Sequence, residues 1–102
     1  MATIKIFWTQ TAIRQRNFIF EYWNERNKSY EYSEKLFLKI TEHTYVLKQN
    51  PEIGKPTKSK NIRGISLGHY SIYYKYSVSQ ITIIAFWDNR QELGKLRKLF
   101  NK

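Results

Sequence analysis

The most constraining feature of the chain is a strict alternation of side chains between residues 69 and 78. Large apolar residues take every second position, whereas most of the positions between them are polar. The apolar members are Tyr70, Ile72, Tyr74, Tyr76 and Val78. A period of two fits a pleated strand and excludes a helix, whose faces repeat about every 3.6 residues. The segment therefore predicts a β-strand with one face in a hydrophobic core.

Three further segments predict strands around this one. Ser79-Gln80 forms a two-residue connection to residues 81–87, which are apolar on both faces, as is typical of a strand inside a sheet. Thr3–Trp8 and Arg63–Leu67 alternate, and Gly68-His69 supplies a tight turn. Because tight turns join neighbouring strands antiparallel, we expect a mainly antiparallel sheet of about four strands.

Two helices separate the first strand from the others. Apolar residues recur at steps of three and four between residues 12 and 23 and again between residues 33 and 47. Thr9 or Thr11 can cap the first helix, Ser29 can cap the second, and Asn50-Pro51 ends it. The short connection between the helices predicts an antiparallel αα-hairpin. A third helical pattern occupies residues 91–102.

The order of elements, β-α-α-β-β-β-α, predicts one α+β domain spanning residues 1–102. We expect the αα-hairpin to pack on one face of the twisted sheet and a short helix to follow the last strand. The chain has no cysteine, which leaves out disulfides, thiolate metal sites and cysteine nucleophiles and fits a cytoplasmic location. We expect no cofactor, no signal peptide and no membrane partner.

Positive charge is concentrated in one part of the chain. The formal net charge is +10, but residues 12–52 hold seven Lys/Arg and six Glu. The other residues hold eleven Lys/Arg against Asp88 and Glu92, and residues 53–87 contain no acid. Such a distribution attracts nucleic acid, an anionic membrane or an acidic protein, and the membrane is the weakest of the three. The plain alternative is a basic surface that only confers solubility.

Three stretches in the right order resemble the RelE/ParE toxins of type II toxin–antitoxin systems. They are LKQNPEIGKP after the second helix, RGISLGHYSIYYKY over the central hairpin, and ITIIAFWDNRQ at the last strand. The resemblance implies a growth-inhibiting toxin that a cognate acidic antitoxin neutralises. RelE-like members cut messenger RNA on the ribosome without a metal, whereas ParE-like members block DNA gyrase. If the chain is an enzyme, it is therefore a metal-independent endoribonuclease.

Several positions are closer to the ParE-like pattern. RelE-like toxins carry several Lys and Arg where this chain has Gly64, Ser66 and Gly68. Many of them also carry an Arg at the position that Ser71 occupies in this chain. The C-terminal segment also lacks the Tyr or His that ribonuclease members often place there.

Candidate catalytic residues follow from the needs of RNA cleavage, which are cations for the phosphate and groups that move protons. Arg63 and Arg90 fall on basic positions of the family pattern, and a guanidinium is always charged. His69 can act as acid or base, since imidazole exchanges protons near neutral pH. The alternatives are two solvated strand-end arginines and an exposed turn histidine.

Two further sets of residues are candidates for binding. Lys55, Lys58 and Lys60 can contact phosphate, and Tyr73 can stack on a base. An acidic antitoxin can contact an apolar stripe of the C-terminal segment, although this stripe can instead fold back on its own sheet. The stripe consists of Leu93, Leu96, Leu99 and Phe100. Two other functions remain open, a non-toxic nucleic-acid-binding module and a decayed toxin kept for antitoxin binding.

Overall fold

The computed structural model describes residues 4–100, apart from the side chain of Leu93. The predicted order of elements is confirmed, with one 3-10 turn and one short strand added after the second helix. In chain order the elements are β1 (Lys5–Trp8), α1 (Gln10–Asn27), α2 (Glu31–Gln49), the 3-10 turn (Pro51–Ile53), β2 (Lys55–Pro56), β3 (Arg63–Leu67), β4 (Tyr70–Tyr76), β5 (Gln80–Asp88) and α3 (Leu93–Phe100). Among the described residues, no helix is both long enough and apolar enough to cross a membrane.

The sheet is mixed and has five strands in the order β1-β5-β4-β3-β2. β1 runs parallel to β5, whereas the other neighbours are antiparallel. The sheet therefore has five strands where about four were predicted. The pairing of β1 with β5 is parallel, unlike the others. A strand of two residues, one of them proline, has no period to detect. Alternation identifies a strand but does not reveal the direction of its neighbour.

A β-bulge in β5 explains why that strand is apolar on both faces. Tyr73 pairs with Ala85 and Tyr74 pairs with Ile83, so Ile84 is an extra residue on β5. An extra residue exchanges the two faces of a strand. Ile83 therefore points into the core beneath the helices, whereas Ala85 and Trp87 point to the opposite side of the sheet.

The αα-hairpin covers the first face of the sheet. The amide of Ala12 donates to Thr9 Oγ1 at 3.1 Å, so Thr9 is the cap of α1. α2 begins one residue later than predicted, with Tyr30 at the cap position and Ser29 Oγ accepting from the Glu31 amide. The buried residues of this core are Ala12, Leu36, Ile40, Leu47, Leu67, Tyr70, Ile72, Tyr74, Ile81, Ile83 and Phe86.

α1 also closes the edge of β5 beyond the end of β1. There the amide of Phe86 donates to Oε1 of Gln15 at 2.9 Å. A side chain of the helix thus takes the place that a neighbouring strand would occupy. The Phe86 amide therefore has a hydrogen-bond acceptor although no described strand pairs with this edge of β5 at this position.

α3 covers part of the second face. Leu96 is buried against Ala85 and Trp87, and Leu99 and Phe100 are partly buried there. Three members of the C-terminal stripe, Leu96, Leu99 and Phe100, therefore pack back on their own sheet. This contact positions α3 beside the lysine-rich segment that precedes β3.

Candidate functional site

The structure does not bring the two predicted catalytic arginines together. Arg63 pairs with Tyr74, whereas Asp88, two residues before Arg90, pairs with Tyr70. These positions are four residue steps apart on β4, which corresponds to about 13 Å along a strand. Arg63 and Arg90 therefore lie at opposite ends of the sheet and do not form the joint anion-binding pair that the sequence suggested.

Arg63 holds the chain between α2 and β3. Its Nη1 donates to the carbonyls of Gly54 at 2.7 Å and Glu52 at 3.1 Å. Tyr74 supports the same segment, since its hydroxyl donates to the Pro51 carbonyl at 2.6 Å and accepts from the Gly54 amide at 2.9 Å. Burial raises the pKa of Tyr74, which keeps the donating proton in place.

The segment from residue 55 to residue 61, here called the basic loop, is internally bonded. Thr57 Oγ1 accepts from the Ser59 amide and donates to the Ile62 carbonyl at 2.9 Å. The Thr57 amide donates to the same carbonyl at 3.0 Å. These bonds order the backbone, while the three predicted contact residues Lys55, Lys58 and Lys60 stay exposed.

Arg90 is occupied by an acidic neighbour. Its Nε and Nη2 donate to the two carboxylate oxygens of Asp88 at 3.0 and 2.8 Å, and its amide donates to Oδ1 at 2.9 Å. The hydrogen bonds from Arg90 hold the pKa of the Asp88 carboxyl below its ordinary value. Arg90 is still largely exposed, so an incoming anion has to compete with Asp88.

The turn around His69 lies at the same end of the sheet as Arg90. The His69 carbonyl accepts from the Asn89 amide at 2.9 Å, and the buried Ser71 hydroxyl donates to Asn89 Oδ1 at 2.7 Å. The His69 side chain is exposed. Of the predicted residues, this end holds the ion-paired Arg90 and the exposed His69; the exposed Arg14 of α1 lines a cavity there together with Asp88 and Gln91.

Tyr73 and α3 pack against each other. The Tyr73 and Phe100 rings meet edge to face with centroids 5.4 Å apart, and a Cβ at Gly64 would lie 2.7 Å from Tyr73 Cε1. Gly64 therefore leaves room for this ring, a role that the sequence analysis missed. An antitoxin would reach the buried Leu96 only by displacing α3, whereas Leu99 and Phe100 are partly buried. The Leu93 side chain lies outside the described residues.

A largely apolar groove lies beside α2. Its volume is about 710 Å³, and its walls include Val46, Ile53, Pro56, Ile65 and Tyr73. Val46 is 41% exposed and Ile53 is 55% exposed, which is high for aliphatic side chains. The sequence contained a signal for this groove, because Val46 and Ile53 are apolar residues outside the predicted buried stripe.

The comparisons with known proteins agree with this architecture. A family model described as "ParE toxin of type II toxin-antitoxin system, parDE" matches residues 6–93. The chain belongs to the ParE toxin family. The predicted resemblance to the RelE/ParE superfamily, on its ParE-like side, is confirmed.

A solved structure shares the fold of this ParE-family chain. A chain described as "Chromosomal ParDE TA system from P. aeruginosa" superposes with a TM-score of 0.72 at 20% identity. The match covers 84% of this chain and 96% of that chain. No curated protein matches the sequence. Membership of the ParE family identifies the chain as a toxin component, whose counterpart in such a system is an antitoxin.

Proposed function

We propose that this ParE-family toxin inhibits growth by binding DNA gyrase in the cytoplasm and that it is not a ribonuclease. The observation that carries the proposal is the engagement of both candidate arginines. Arg63 is bonded to two loop carbonyls and Arg90 to both oxygens of Asp88. The gyrase target itself comes from the ParE-like side of the superfamily.

Metal-free RNA cleavage makes demands that these residues meet poorly. It requires unpaired cations at the phosphate and a pair of groups that exchange protons with the 2′-OH and the leaving oxygen. Of the predicted catalytic residues, the end of the sheet near Arg90 holds one ion-paired guanidinium and the imidazole of His69. At the neighbouring position Ser71, the side chain is a buried hydroxyl that donates to Asn89.

Expression of the chain alone tests the toxin assignment. We expect growth arrest, and we expect rescue when the product of the adjacent short reading frame is expressed with it. Harmless expression at a verified protein level would contradict the assignment. It would favour the non-toxic nucleic-acid-binding module or the decayed toxin.

Two assays with purified protein separate the targets. We expect inhibition of gyrase-catalysed DNA supercoiling, together with unimpaired in-vitro translation and intact messenger RNA. Cleaved message that becomes intact with the Arg90→Ala variant would overturn the gyrase proposal and restore the ribonuclease mechanism.

The antitoxin contact is proposed for the groove beside α2. Val46 and Ile53 expose apolar surface there. Glu42 and Lys55 both line the groove, and the basic loop that begins at Lys55 suits an acidic partner. Within residues 4–100, β2 is the only strand that pairs with the outer edge of β3, and it covers Arg63 and Gly64 only. The backbone N–H and C=O groups of alternate residues point to the same side of a strand. The Ile62 carbonyl accepts from the Thr57 amide, so it points to the side of β3 on which β2 lies. Ser66 therefore directs its amide and carbonyl to this edge, where an extended antitoxin segment can pair.

Charge substitutions test this contact. The double variant Val46→Glu/Ile53→Glu should weaken antitoxin binding while growth arrest persists, because it puts carboxylates into the apolar groove. Leu38→Glu is the matched control, since Leu38 is 61% exposed and does not line the groove. Full antitoxin binding by the folded double variant, or an equal loss of binding in the control, would overturn this assignment.

A further inference from the structure

We infer that the basic loop and the end of β4 form a binding site for single-stranded nucleic acid. A cavity of about 540 Å³ lies between them, and its walls include Lys60, Arg63, Lys75 and Tyr76. This position is at the opposite end of the sheet from Arg90, and it adjoins the groove beside α2, with which it shares Pro56 and Thr57. The inference goes beyond the gyrase proposal and does not depend on it.

Cations available for phosphate are the first component of this site. Lys60 and Lys75 are exposed, and neither forms an ion pair with a described residue. Glu52 is the acidic residue nearest to this site along the chain. Its backbone carbonyl accepts a hydrogen bond from Arg63. A polyanion therefore meets a positive field, and binding releases its counterions.

A partly exposed aromatic ring is the second component. Tyr76 is 42% exposed, and the Arg63 guanidinium lies 6.0 Å from the centroid of its ring. Aromatic rings bind unpaired bases by stacking, whereas in a duplex the base faces are buried against each other. Tyr76 next to two lysines consequently favours a single strand over a duplex.

A second cavity extends the site across the basic loop. It has a volume of about 290 Å³, and its walls include Lys58, Arg97, Tyr73 and Phe100. Pro56, Thr57 and Ser59 line both cavities, so the two are separated only by the loop. Cations with adjacent aromatic rings thus occur on both sides of the loop, as expected for a surface that follows a sugar-phosphate backbone.

The loop is ordered before any ligand binds. Arg63 and Tyr74 hold its N-terminal approach, and Thr57 bonds across it to Ile62. A surface fixed in advance loses less conformational entropy on binding. This order distinguishes the site from a set of lysines on a flexible loop.

Fluorescence anisotropy with a labelled single-stranded oligonucleotide of about 12 nucleotides tests the inference. We expect the wild-type protein to bind this probe more tightly than the duplex of the same sequence at equal salt. Tyr76→Leu should weaken the single-stranded complex roughly 5- to 150-fold. Lys60→Gln/Lys75→Gln should reduce the slope of log K against log salt by about 1.4.

Lys39→Gln/Lys48→Gln is the matched control, because it removes the same charge from exposed positions of α2. Circular dichroism and thermal unfolding establish that each variant is folded. Three outcomes would overturn the inference, namely equal loss in the control, duplex binding as tight as single-strand binding, or unchanged affinity in folded Tyr76→Leu. Growth arrest and supercoiling are measured separately. The oligonucleotide affinities can therefore be interpreted even if the gyrase proposal fails.

Discussion

At the scale of single residues, the Tyr74 hydroxyl organises the connection between α2 and β3. It bridges the Pro51 carbonyl and the Gly54 amide. Tyr74→Phe should lower the free energy of unfolding by ~1–3 kcal/mol, because two backbone groups lose their partner. Urea denaturation measures this loss.

Tyr45→Phe is the control for that substitution. Tyr45 is 61% exposed, so removal of its hydroxyl should change stability by no more than about 0.5 kcal/mol. Equal effects of the two substitutions would show that the Tyr74 bridge contributes nothing.

The carboxyl of Asp88 should make stability depend on pH. Its folded-state pKa is lowered by the hydrogen bonds from Arg90. The stabilisation is therefore complete above the unfolded pKa of about 3.9 and is lost as the pH falls through the lower folded pKa. Wild type should be more stable than Asp88→Asn at pH 6, and the difference should shrink on acidification below about pH 4.

Denaturant unfolding of both proteins from pH 6 down to about pH 2 measures the dependence. Glu34→Gln is a suitable control, since Glu34 is an exposed carboxylate on α2. A stability difference between wild type and Asp88→Asn that stays constant across the range would contradict the ion-pair assignment.

At the scale of elements, Gln15 joins α1 to the edge of β5. Gln15→Leu keeps the size of the side chain but leaves the Phe86 amide without its acceptor. We expect a loss of about 1–3 kcal/mol in the free energy of unfolding. Gln49→Leu, at the exposed last residue of α2, provides the same chemical change where no such bond exists, and thermal denaturation compares the two.

The docking of α3 depends on Leu96. This side chain is 3% exposed, so Leu96→Ala should destabilise the protein by ~2–5 kcal/mol or release α3 from the sheet. Leu38→Ala is the matched control, because Leu38 is 61% exposed. Hydrogen exchange of the α3 amides distinguishes release from global destabilisation, and unchanged protection and stability would refute the docking argument.

Sequence periodicity predicted the helices and the long strands because each covers several repeats. It did not predict β2, which is too short to show a period, or the parallel contact of β1 with β5. The bulge at Ile84 was also hidden, since an all-apolar segment looks the same before and after the faces exchange. The site was harder still, because the partners of Arg63 and Arg90 are set by tertiary contacts.

At the scale of the whole molecule, charge should steer the antitoxin. The triple variant Lys55→Gln/Lys58→Gln/Lys60→Gln should associate with the cognate antitoxin more slowly, on the order of 10-fold at low salt. The effect should be smaller at high salt. Stopped-flow mixing measures these rates. The control variant Lys35→Gln/Lys39→Gln/Lys48→Gln removes the same charge from α2. An equally slow association of this control would mean that net charge alone sets the association rate.

The extra residue at Ile84 constrains how this molecule can change over time. Nine residues of β5 supply both hydrophobic layers, and the register on either side of Ile84 decides which layer each side chain joins. Substitution by another apolar residue preserves that division. Loss or gain of one residue in this strand would turn Trp87 toward the helices and deprive α3 of its support, so variation in length is far more damaging here than variation in identity.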